Sequence, residues 1–507
     1  MVWKIEESCG NESEKIKWEL VPYTAGTGLD IGCGGKSPFA HFIGVDDTSH
    51  KEMFGWTSPR PTVVADATNL SMFASQSMDF VFSSHTLEHI EDYQAALKEW
   101  WRLIKPGGYL CLYLPHKHFY PNIGQEGANP DHKHDFLPTD LIEVMPDGFD
   151  LIENQERNEG NEYSFFQVFK KTQGKGRDES WKVKPEKTCA IIRYGAFGDV
   201  MQASSILPWL KEQGYHVTFF TVPRGYDVMR HDPHVDRFVV QDSDQVPNQD
   251  LGDYWTYLKA KYDKFINLSE STEGSLLVIP GRMAHTWSKE ARHKMLNINY
   301  TEMVHAIAEV PMPGRQKFYA TTDEKAWVRK QKDRVGKCIL WTLSGSSIHK
   351  IWPNMDAVVA RILLHTDYRI IFCGDETSKL LEGPWTEEPR IFCRSGEWTI
   401  RQTMAMAQIC EMVIGPETGV LNAVALDDNW KVVTLSHSSE ENLTKHWKNA
   451  ISLAPNNTPC YPCHMMHYNF DHCNRDEELG TAKCQADITA DQMWEAIAPI
   501  LNDRKAA

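Results

Sequence analysis

Two glycine-rich turns, each placed between an apolar strand and a helix, constrain this chain more than any other feature. The first lies in residues 28–36 and the second in residues 190–200. Because glycine has no side chain, backbone N–H groups and a helix N-terminus can approach an anionic or polar ligand at such a turn. The flanking residues of the two turns differ. The sequence therefore predicts two nucleotide-type sites, and hence two enzymes in one polypeptide.

The length and the net charge of the chain limit the number of domains and the kinds of binding partner. The chain has 507 residues, and since domains usually hold about 100–200 residues, two to four domains are expected. Hydrophobic residues make up 41% and charged residues 24%, which is ordinary for a globular protein. The net charge of −16 disfavours a nucleic-acid polymer as substrate, because binding of a phosphate backbone favours basic surfaces. A local basic groove stays compatible with this charge.

The N-terminus and the cysteines predict a cytoplasmic protein. The first residues contain no apolar core and no small-residue cleavage site, so they do not read as a secretory signal. No apolar run approaches the ~20 residues of a membrane helix. Most of the 12 cysteines stand singly in apolar stretches, as Cys111, Cys189, Cys338 and Cys373 do. That placement suits reduced, buried thiols.

Alternating strand and helix signals predict an α/β fold in several domains. In the first region the predicted strands lie at residues 28–31, 41–45, 61–64, 78–82 and 109–114, with a helix at 93–104. Such alternation favours a parallel sheet covered by helices. A polar, glycine-spaced stretch at 171–187 is interpreted as a linker. We therefore predict domains at residues 1–170, 188–330 and 331–507, and a final helix at about 490–501.

The first turn and four later segments, in order, are similar to the class I S-adenosylmethionine-dependent methyltransferases. The turn reads Leu-Asp-Ile-Gly-Cys-Gly-Gly at residues 29–35; acidic residues follow the second and third strands; residues 77–89 match the fourth-strand segment; and Lys-Pro-Gly-Gly precedes the fifth strand. The resemblance implies a Rossmann-like fold that binds S-adenosylmethionine. The candidate cofactor-binding residues are Asp30, Gly32, Gly34, Asp46, Asp66 and Ser83.

The methyl acceptor is predicted to be a hydroxyl group. Residues 83–85 read Ser-Ser-His where DNA amino-methyltransferases carry an Asp/Asn-Pro-Pro-aromatic segment. Transfer to a hydroxyl needs alignment and a base near the acceptor proton, and His85 is the candidate catalytic base. Other candidates are His116, His118, His132 and His134. Any of these histidines could instead cap loops or line the surface, His132 and His134 could hold a metal, and the domain could bind the nucleoside without catalysis.

The second turn resembles the opening of glycosyltransferase family 9, the heptosyltransferase-like enzymes. The matching residues are 192–201, Ile-Arg-Tyr-Gly-Ala-Phe-Gly-Asp-Val-Met. The resemblance implies the GT-B fold, in which two Rossmann-like halves face each other across the active site. It places the family's Gly-Asp pair on Gly198 and Asp199 and implies that Asp199 is the general base for the acceptor hydroxyl. An aspartate in this position also suits a helix cap, and both roles are compatible.

Three further segments resemble the family's donor side. Residues 344–353 match the phosphate-contacting loop, with Lys350 at the lysine that offsets charge on the departing diphosphate. Residues 374–376 place acidic side chains after a strand, where they can hold ribose. Residues 414–422 match the Asp-Thr-Gly segment, although Glu417 replaces the aspartate and Asn422 stands where a histidine is common, so the sugar stays open. The candidate donor-binding residues are Gly198, Ser344, Ser346, Lys350, Asp375, Glu376, Glu417, Thr418 and Gly419.

Four clustered cysteines near the C-terminus suggest a structural metal. Cys460 and Cys463 form a C-x2-C pair, and Cys473 and Cys484 follow. Four thiolates in a short span suit tetrahedral zinc, and His464, His467 or His472 could replace one of them. Disulfides and metal-free thiols are the alternatives. By the resemblance, the final helix crosses back to the first half of the GT-B fold.

Together these features predict a bifunctional carbohydrate-modifying enzyme. It transfers a sugar from a nucleotide-diphosphate donor and methylates a hydroxyl group, with a glycan as acceptor. Fusion would raise the concentration of one product near the next site. Two alternatives stay open: modification of nucleic-acid bases by the same two activities, and a scaffold with degenerate enzyme folds. The oligomeric state is not predicted.

Overall fold

The computed structural model describes residues 12–49, 61–172, 185–269, 271–272 and 276–503. Most of the predicted linker, residues 173–184, lies outside these described residues. The chain divides into two compact units. The first is Met1–Glu186 with Val240–Lys261, and the second is Lys187–Val239 with Tyr262–Ala507. Residues 240–261, which the sequence analysis assigns to the glycosyltransferase half, thus group with the first unit.

A seven-stranded sheet forms the centre of the first unit, in the order β3-β2-β1-β4-β5-β7-β6. The pairs among β1 to β5 are parallel, and β7 runs antiparallel to β5 and β6. The predicted α/β class is confirmed here. The strands are β1 (Gly28–Ile31), β2 (Ile43–Asp46), β3 (Val63–Val64), β4 (Met78–Ser84), β5 (Ile104–Pro115), β6 (Phe149–Arg157) and β7 (Ser164–Lys171).

Local sequence explains the helices of this unit. The helix Tyr93–Leu103 begins after Asp92, whose carboxylate accepts the Ala95 N–H, as an N-cap residue does. The predicted helix at 93–104 ends one residue earlier, at Leu103, because Ile104 already belongs to β5 and pairs with Met78. The pairing of β4 with β5 shifts in register between Met78 and Phe80. The α-helices of the unit are Lys17–Leu20, Tyr93–Leu103, Pro138–Val144 and Leu251–Lys261.

The second unit contains two sheets. A four-stranded sheet has the order β10-β9-β8-β11, and a six-stranded, parallel sheet has the order β14-β13-β12-β15-β16-β17. The strands are β8 (Thr188–Ile192), β9 (His216–Thr221), β10 (Arg237–Val240), β11 (Lys264–Asn267), β12 (Cys338–Thr342), β13 (Arg369–Cys373), β14 (Ile391–Cys393), β15 (Met412–Pro416), β16 (Trp430–Thr434) and β17 (Ala450–Leu453).

Helices cover both sheets, and one of them differs from the expectation. The final helix, Ala490–Asp503, buries Met493 and Ile497 in one cluster with Val358 of the helix Met355–His365. Its apolar face thus packs within the C-terminal half, whereas the sequence analysis predicts that this helix crosses to the first half. The other α-helices are Phe197–Ala203, Leu207–Glu212, Pro223–Met229, Lys289–Leu296, Tyr300–Ala308, Thr322–Val335, Lys379–Glu382, Ile400–Ala407, Gly419–Ala423, Glu440–Leu443 and Lys483–Ala486.

The two halves of the second unit share one hydrophobic core. Val200 and Met201 of the helix Phe197–Ala203 are fully buried in the same cluster as Leu340 of β12 and Leu421 of the helix Gly419–Ala423. Burial of apolar surface is the main favourable contribution to folding. None of the helices in the described part of the chain combines the length and apolar character needed to cross a lipid bilayer.

A close backbone contact joins the two halves where their glycine turns meet. A Cβ atom on Gly419 would lie 2.5 Å from Phe197 Cβ and 2.9 Å from the Gly198 nitrogen. A Cβ atom on Gly198 would lie 3.2 Å from Asn422 Nδ2. Gly419 therefore has no room for a side chain, whereas a side chain at position 198 would require Asn422 to shift.

A buried guanidinium forms a second tie between the halves. Arg401 is 2% exposed, and its N–H groups donate to the carbonyl oxygens of Val228 (2.7 Å) and Tyr319 (2.8 Å). The same group pairs with both oxygens of Glu324, at 2.7 and 2.8 Å. Such bidentate, charge-assisted geometry is the strongest form of ion pair.

We predict that Arg401→Met lowers the free energy of unfolding of the second unit by about 3–5 kcal/mol, since it leaves Glu324 as an uncompensated, partly buried charge. The matched control is Arg361→Met, which breaks the pair with Asp491, whose side chain is 74% exposed; this change is expected to cost less than about 1 kcal/mol. Urea unfolding of the full chain followed by tryptophan fluorescence measures both. Equal midpoints for the two variants would contradict the assigned role.

Candidate functional site

The first glycine turn places its predicted cofactor residues at the carboxyl edge of neighbouring parallel strands. Gly32 has φ +74° and donates its N–H to the Val45 carbonyl at 2.8 Å. A Cβ on Gly32 would lie 2.0 Å from Thr86 Oγ1, so this position needs glycine. Gly34 donates its N–H to Asp46 Oδ2 at 3.0 Å. The turn is thus held directly against the end of β2.

The other predicted cofactor residues surround the same edge. Asp30 is buried within β1, and Ser83 Oγ donates to the Ile31 carbonyl at 2.9 Å. Asp66, after β3, accepts hydrogen bonds from the N–H and hydroxyl of Thr68, both at 2.8 Å. Ligands of open parallel sheets bind outside the carboxyl ends of the strands. The structure therefore brings these predicted residues together at the carboxyl edge of one sheet.

His85 follows β4 at this edge. Its backbone has φ +48°, and Nε2 lies 2.9 Å from Ser164 Oγ. Burial, with a smaller contribution from Lys15, lowers the pKa of His85 well below its ordinary value. The imidazole is therefore neutral at neutral pH and can accept a proton.

The remaining candidate histidines have separate environments. His116 stacks on Phe119 with ring centroids 4.1 Å apart, and burial lowers its pKa. His134 Nε2 lies 3.1 Å from the carbonyl oxygens of Ile90 and Glu91. His134 thus faces these two carbonyl groups, and a metal held by His132 and His134 stays an untested alternative. His132 lies beside Glu88, which the sequence analysis did not single out.

Glu88 is a buried carboxylate without a close positive partner among the described residues. Burial raises its pKa to about 8, and the nearby charge of Glu12 acts in the same direction. Burial also lowers the pKa of His132 to about 4. Both shifts follow from the cost of placing a charge in a low-dielectric interior.

In the second unit, Asp199 lies in the first turn of the helix Phe197–Ala203. One carboxylate oxygen accepts the Ala196 N–H at 2.8 Å, and the other lies 3.0 Å from Arg193 NH2. Arg193 is 1% exposed and also donates to the Leu268 carbonyl at 3.0 Å. Asp199 is thus not the N-cap residue that the sequence analysis raised as an alternative: Ala196 holds that position, and Asp199, the third residue of the helix, accepts its N–H. The side chain keeps 20% of its surface exposed.

Lys350 and Glu417 meet beside this aspartate. Lys350 Nζ donates to the Glu417 carbonyl at 3.0 Å. Burial lowers the pKa of Lys350, while the carboxylates of Glu417 and Asp199 act in the opposite direction. Residues from the two facing glycine turns and from the loop after β12 therefore converge on one place.

The carboxylate of Glu417 organises the loop after β16. It accepts hydrogen bonds from the N–H groups of Ser436 and Ser438, both at 3.0 Å, and from Ser436 Oγ at 2.8 Å. His437 Nδ1 lies 2.7 Å away. Burial alone would raise the pKa of Glu417, but His437, Lys350 and the Ser436 N–H outweigh it and lower the pKa to about 2. The carboxylate is thus ionised at neutral pH.

Tyr300 belongs to the same cluster and was missed by the sequence analysis. Its hydroxyl lies 2.8 Å from Ser438 Oγ, and burial raises its pKa, with Glu417 and Asp199 adding to the shift. It lies in the stretch of chain whose strand and helix signals are least regular. The one local signal in the sequence is Asn299, which caps the helix that contains Tyr300: its side chain accepts the N–H groups of Thr301 and Glu302.

The other predicted donor residues are spread along the carboxyl edge of the six-stranded sheet. Asp375 Oδ1 accepts the Ser378 N–H at 3.0 Å and thereby caps a short helical turn. Ser344 Oγ lies 2.8 Å from Ser378 Oγ. Glu376 pairs with Lys379 at 2.6 Å. Thr418 begins the helix that contains Gly419.

The four clustered cysteines line a cleft of about 750 Å³ together with Ser346, Lys350 and His437. All four are free thiols. Burial raises the pKa of Cys463 to about 12 and that of Cys473 to about 11. Within the described residues, no three of these sulfur atoms come within 4.8 Å of one another; the group that meets this distance is Glu88, His89 and His132.

Family models match two separate stretches of this chain. A methyltransferase domain model matches residues 29–112, and the glycosyltransferase family 9 (heptosyltransferase) model matches residues 253–473. No curated protein matches the sequence.

Solved structures show similarity to each part at low identity. E. coli ADP-heptose lps heptosyltransferase II is similar over 63% of this chain (14% identity, 99% of that chain, TM-score 0.44). A family 9 glycosyltransferase from Veillonella parvula matches over the same share (14% identity, 98% of that chain, TM-score 0.45). A SAM-dependent methyltransferase from Thermotoga maritima matches 32% of this chain (19% identity, 91% of that chain, TM-score 0.25).

The methyltransferase model covers the first glycine turn from Leu29 onward, and the glycosyltransferase model covers Lys350 and Glu417 but begins after Asp199. The chain therefore joins a methyltransferase domain to a glycosyltransferase family 9 (heptosyltransferase) domain, and both are domains of transferase enzymes.

Proposed function

We propose that this protein is a bifunctional carbohydrate-modifying enzyme. It transfers a sugar from a nucleotide-diphosphate donor and methylates a hydroxyl group, on a glycan, with S-adenosylmethionine as methyl donor. The observation that carries the proposal is the convergence of Asp199, Lys350 and Glu417 where two glycine turns touch. The net charge of −16 favours a carbohydrate over a nucleic-acid acceptor.

The glycosyl step uses a base beside the acceptor hydroxyl and a cation beside the departing diphosphate. Asp199 takes the proton of the acceptor hydroxyl, whose oxygen bonds to the anomeric carbon as the bond to the diphosphate oxygen breaks. Lys350 neutralises charge on the departing diphosphate, an electrostatic contribution that is large in a partly dehydrated site. Arg193 holds the Asp199 carboxylate in place at 3.0 Å. Transfer by this route inverts the anomeric centre, because the nucleophile enters opposite the leaving group.

The donor is held by the remaining candidate residues. Ser344 and Ser346 with Thr418 and Gly419 contact the phosphates, since hydroxyl and backbone N–H groups bind phosphate oxygens. Asp375 and Glu376 accept the ribose hydroxyls. Glu417 acts indirectly, because its side chain is only 5% exposed, against 20% for Asp199, and its oxygens bind Ser436, Ser438 and His437.

The methyl step uses the neutral imidazole of His85. The acceptor oxygen bonds to the methyl carbon, the bond from that carbon to the sulfonium sulfur breaks, and His85 receives the hydroxyl proton. Asp46 accepts the cofactor ribose hydroxyls, while Asp66 and Ser83 border the adenine and methionine ends. Gly32 and Gly34 keep the backbone open to the cofactor.

We further propose that Cys460, Cys463, Cys473 and Cys484 hold a structural zinc ion. Thiolates suit zinc in tetrahedral geometry. Burial raises the pKa of Cys463 to about 12, and a bound cation would favour its thiolate. The sulfur atoms would have to move closer together than they lie here to bind one ion. The ion would fix the wall of the cleft beside Lys350.

We predict that Asp199→Asn keeps donor binding and lowers sugar transfer by about 100-fold or more, since general-base contributions are typically of this size. Stabilisation of the full chain by a panel of nucleotide sugars measures binding, and sugar release or transfer measures the reaction. Asp236→Asn is the control, because that carboxylate also accepts a backbone N–H, from Val217 at 2.7 Å, and pairs with Lys211. Normal transfer by Asp199→Asn would refute its role as base.

We predict that S-adenosylmethionine raises the melting temperature of the full chain, because a ligand of the folded state stabilises it by linkage. Asp46→Ala should weaken this binding roughly 10- to 100-fold, the loss expected for hydrogen bonds to a charged group. Asp140→Ala is the control, since Asp140 also accepts one backbone N–H, from Leu137 at 2.8 Å. Equal affinities in the two variants would exclude the assignment of Asp46.

We predict that the purified chain contains zinc and that Cys463→Ser loses one equivalent, measured by elemental analysis. Cys393→Ser, at a half-buried thiol on β14, should keep the metal content of the parent. A parent chain whose cysteine-bound zinc is absent, with all thiols free or paired as disulfides, would rule out this site.

A further inference from the structure

The first unit contains a buried carboxylate that the proposed chemistry does not use. Glu88 is 1% exposed, and within the described residues neither of its side-chain oxygens has a hydrogen-bond partner. Removing a carboxylate from water costs several kcal/mol unless another group compensates for it. Without such a group Glu88 stays protonated, and its ionised form requires a partner of opposite charge.

Imidazole nitrogens surround one oxygen of this carboxylate. His85 Nδ1, His89 Nε2 and His132 Nε2 each lie 3.9 Å from Glu88 Oε1. This distance exceeds that of a hydrogen bond, about 2.7–3.2 Å. It is close to the spacing of roughly 3.4 Å between two ligand atoms that bind one ion at about 2.1 Å in tetrahedral geometry. Ligand atoms of Glu88, His89 and His132 all lie within 4.8 Å of one another.

The fold fixes these side chains from two segments. Glu88 and His89 occupy the single helical turn Leu87–His89 after β4. The Glu88 carbonyl accepts the N–H groups of Lys133 (2.7 Å) and His134 (3.2 Å), and these bonds hold the loop that carries His132. The rings of His89 and His132 meet edge to face, with centroids 4.8 Å apart. Ligands are thus positioned before any ion arrives, which reduces the cost of binding.

We propose that Glu88, His89 and His132 form a binding site for a divalent transition metal ion of the zinc class. Two imidazoles and one carboxylate suit Zn²⁺, Co²⁺, Fe²⁺ or Mn²⁺, whereas Mg²⁺ and Ca²⁺ prefer oxygen ligands alone. The ion supplies the positive charge that the buried Glu88 lacks.

Three protein ligands leave a coordination position open, as in catalytic rather than structural sites. The His89 side chain is 27% exposed, which gives an ion access from solvent. His85 borders the site through its 3.9 Å approach to Glu88. The inference stands apart from the proposed methyl transfer, because ion binding is measured without turnover.

The test uses the full chain, stripped with a chelator and titrated with Zn²⁺ and then with Co²⁺. Apart from any ion held by the cysteine cleft, we expect one bound ion that is lost in both Glu88→Gln and His132→Asn and retained in His118→Asn, a change at an exposed histidine. Elemental analysis counts the ions. Cobalt bound to nitrogen and oxygen absorbs in the visible without the thiolate charge-transfer band, so its spectrum separates this site from the cysteine cleft.

Circular dichroism and binding of S-adenosylmethionine establish that each variant is folded. If a change at buried Glu88 or His132 prevents folding, His89→Asn replaces that variant in the test, because His89 is the most exposed of the three proposed ligands. This variant should also lose the ion. A parent chain that binds no ion outside the cysteine cleft, folded variants that keep it, or its loss in His118→Asn would each overturn the proposal. Binding of S-adenosylmethionine without the ion would refute the metal site alone and leave the proposed methyltransferase function in place.

Discussion

Backbone-to-backbone contact between Gly198 and Gly419 is the constraint on which the second unit depends. No side chain fits at position 419, since a Cβ there would lie 2.9 Å from the Gly198 nitrogen, and a Cβ on Gly198 would lie 3.2 Å from Asn422 Nδ2. This contact places Asp199, one residue further along, near Glu417 and Lys350, so that the charges of the two halves influence one another. The buried cluster that runs through both halves then surrounds the contact with apolar packing. Geometry and chemistry of the candidate glycosyl site therefore have a common origin in two residues without side chains.

Glu417 shows how a substitution within a motif is accommodated. The motif that it resembles carries aspartate, and the longer side chain here reaches the N–H groups of Ser436 and Ser438 and the ring of His437. Ionised at neutral pH, it holds a loop of the cleft and, through its own carbonyl, the ammonium group of Lys350. Its carboxylate therefore shapes the candidate site from within the protein.

Local pattern predicts much of this fold, and the long-range contacts explain what it misses. β1 at Gly28–Ile31 and the polar residues that follow neighbouring strands could be predicted, because parallel strands end at one edge of a sheet. The start of β5 could not, since Ile104 joins the sheet through its pairing with Met78. Tyr300 and Arg401 gain their roles from residues far away in sequence. Likewise, Glu88 and His132 meet only because the Glu88 carbonyl binds the backbone of Lys133 and His134.

The hydrogen bonds of Arg401 have a consequence for motion. Its guanidinium binds carbonyl oxygens at the end of the helix Pro223–Met229 and, at the same time, Glu324 of the helix Thr322–Val335. Sliding of one half past the other would break several charge-assisted bonds at once, whereas rotation about this point would keep them. Any opening of the cleft to admit a substrate should therefore be a hinge movement whose axis passes close to Arg401, with the largest displacements at the far rim.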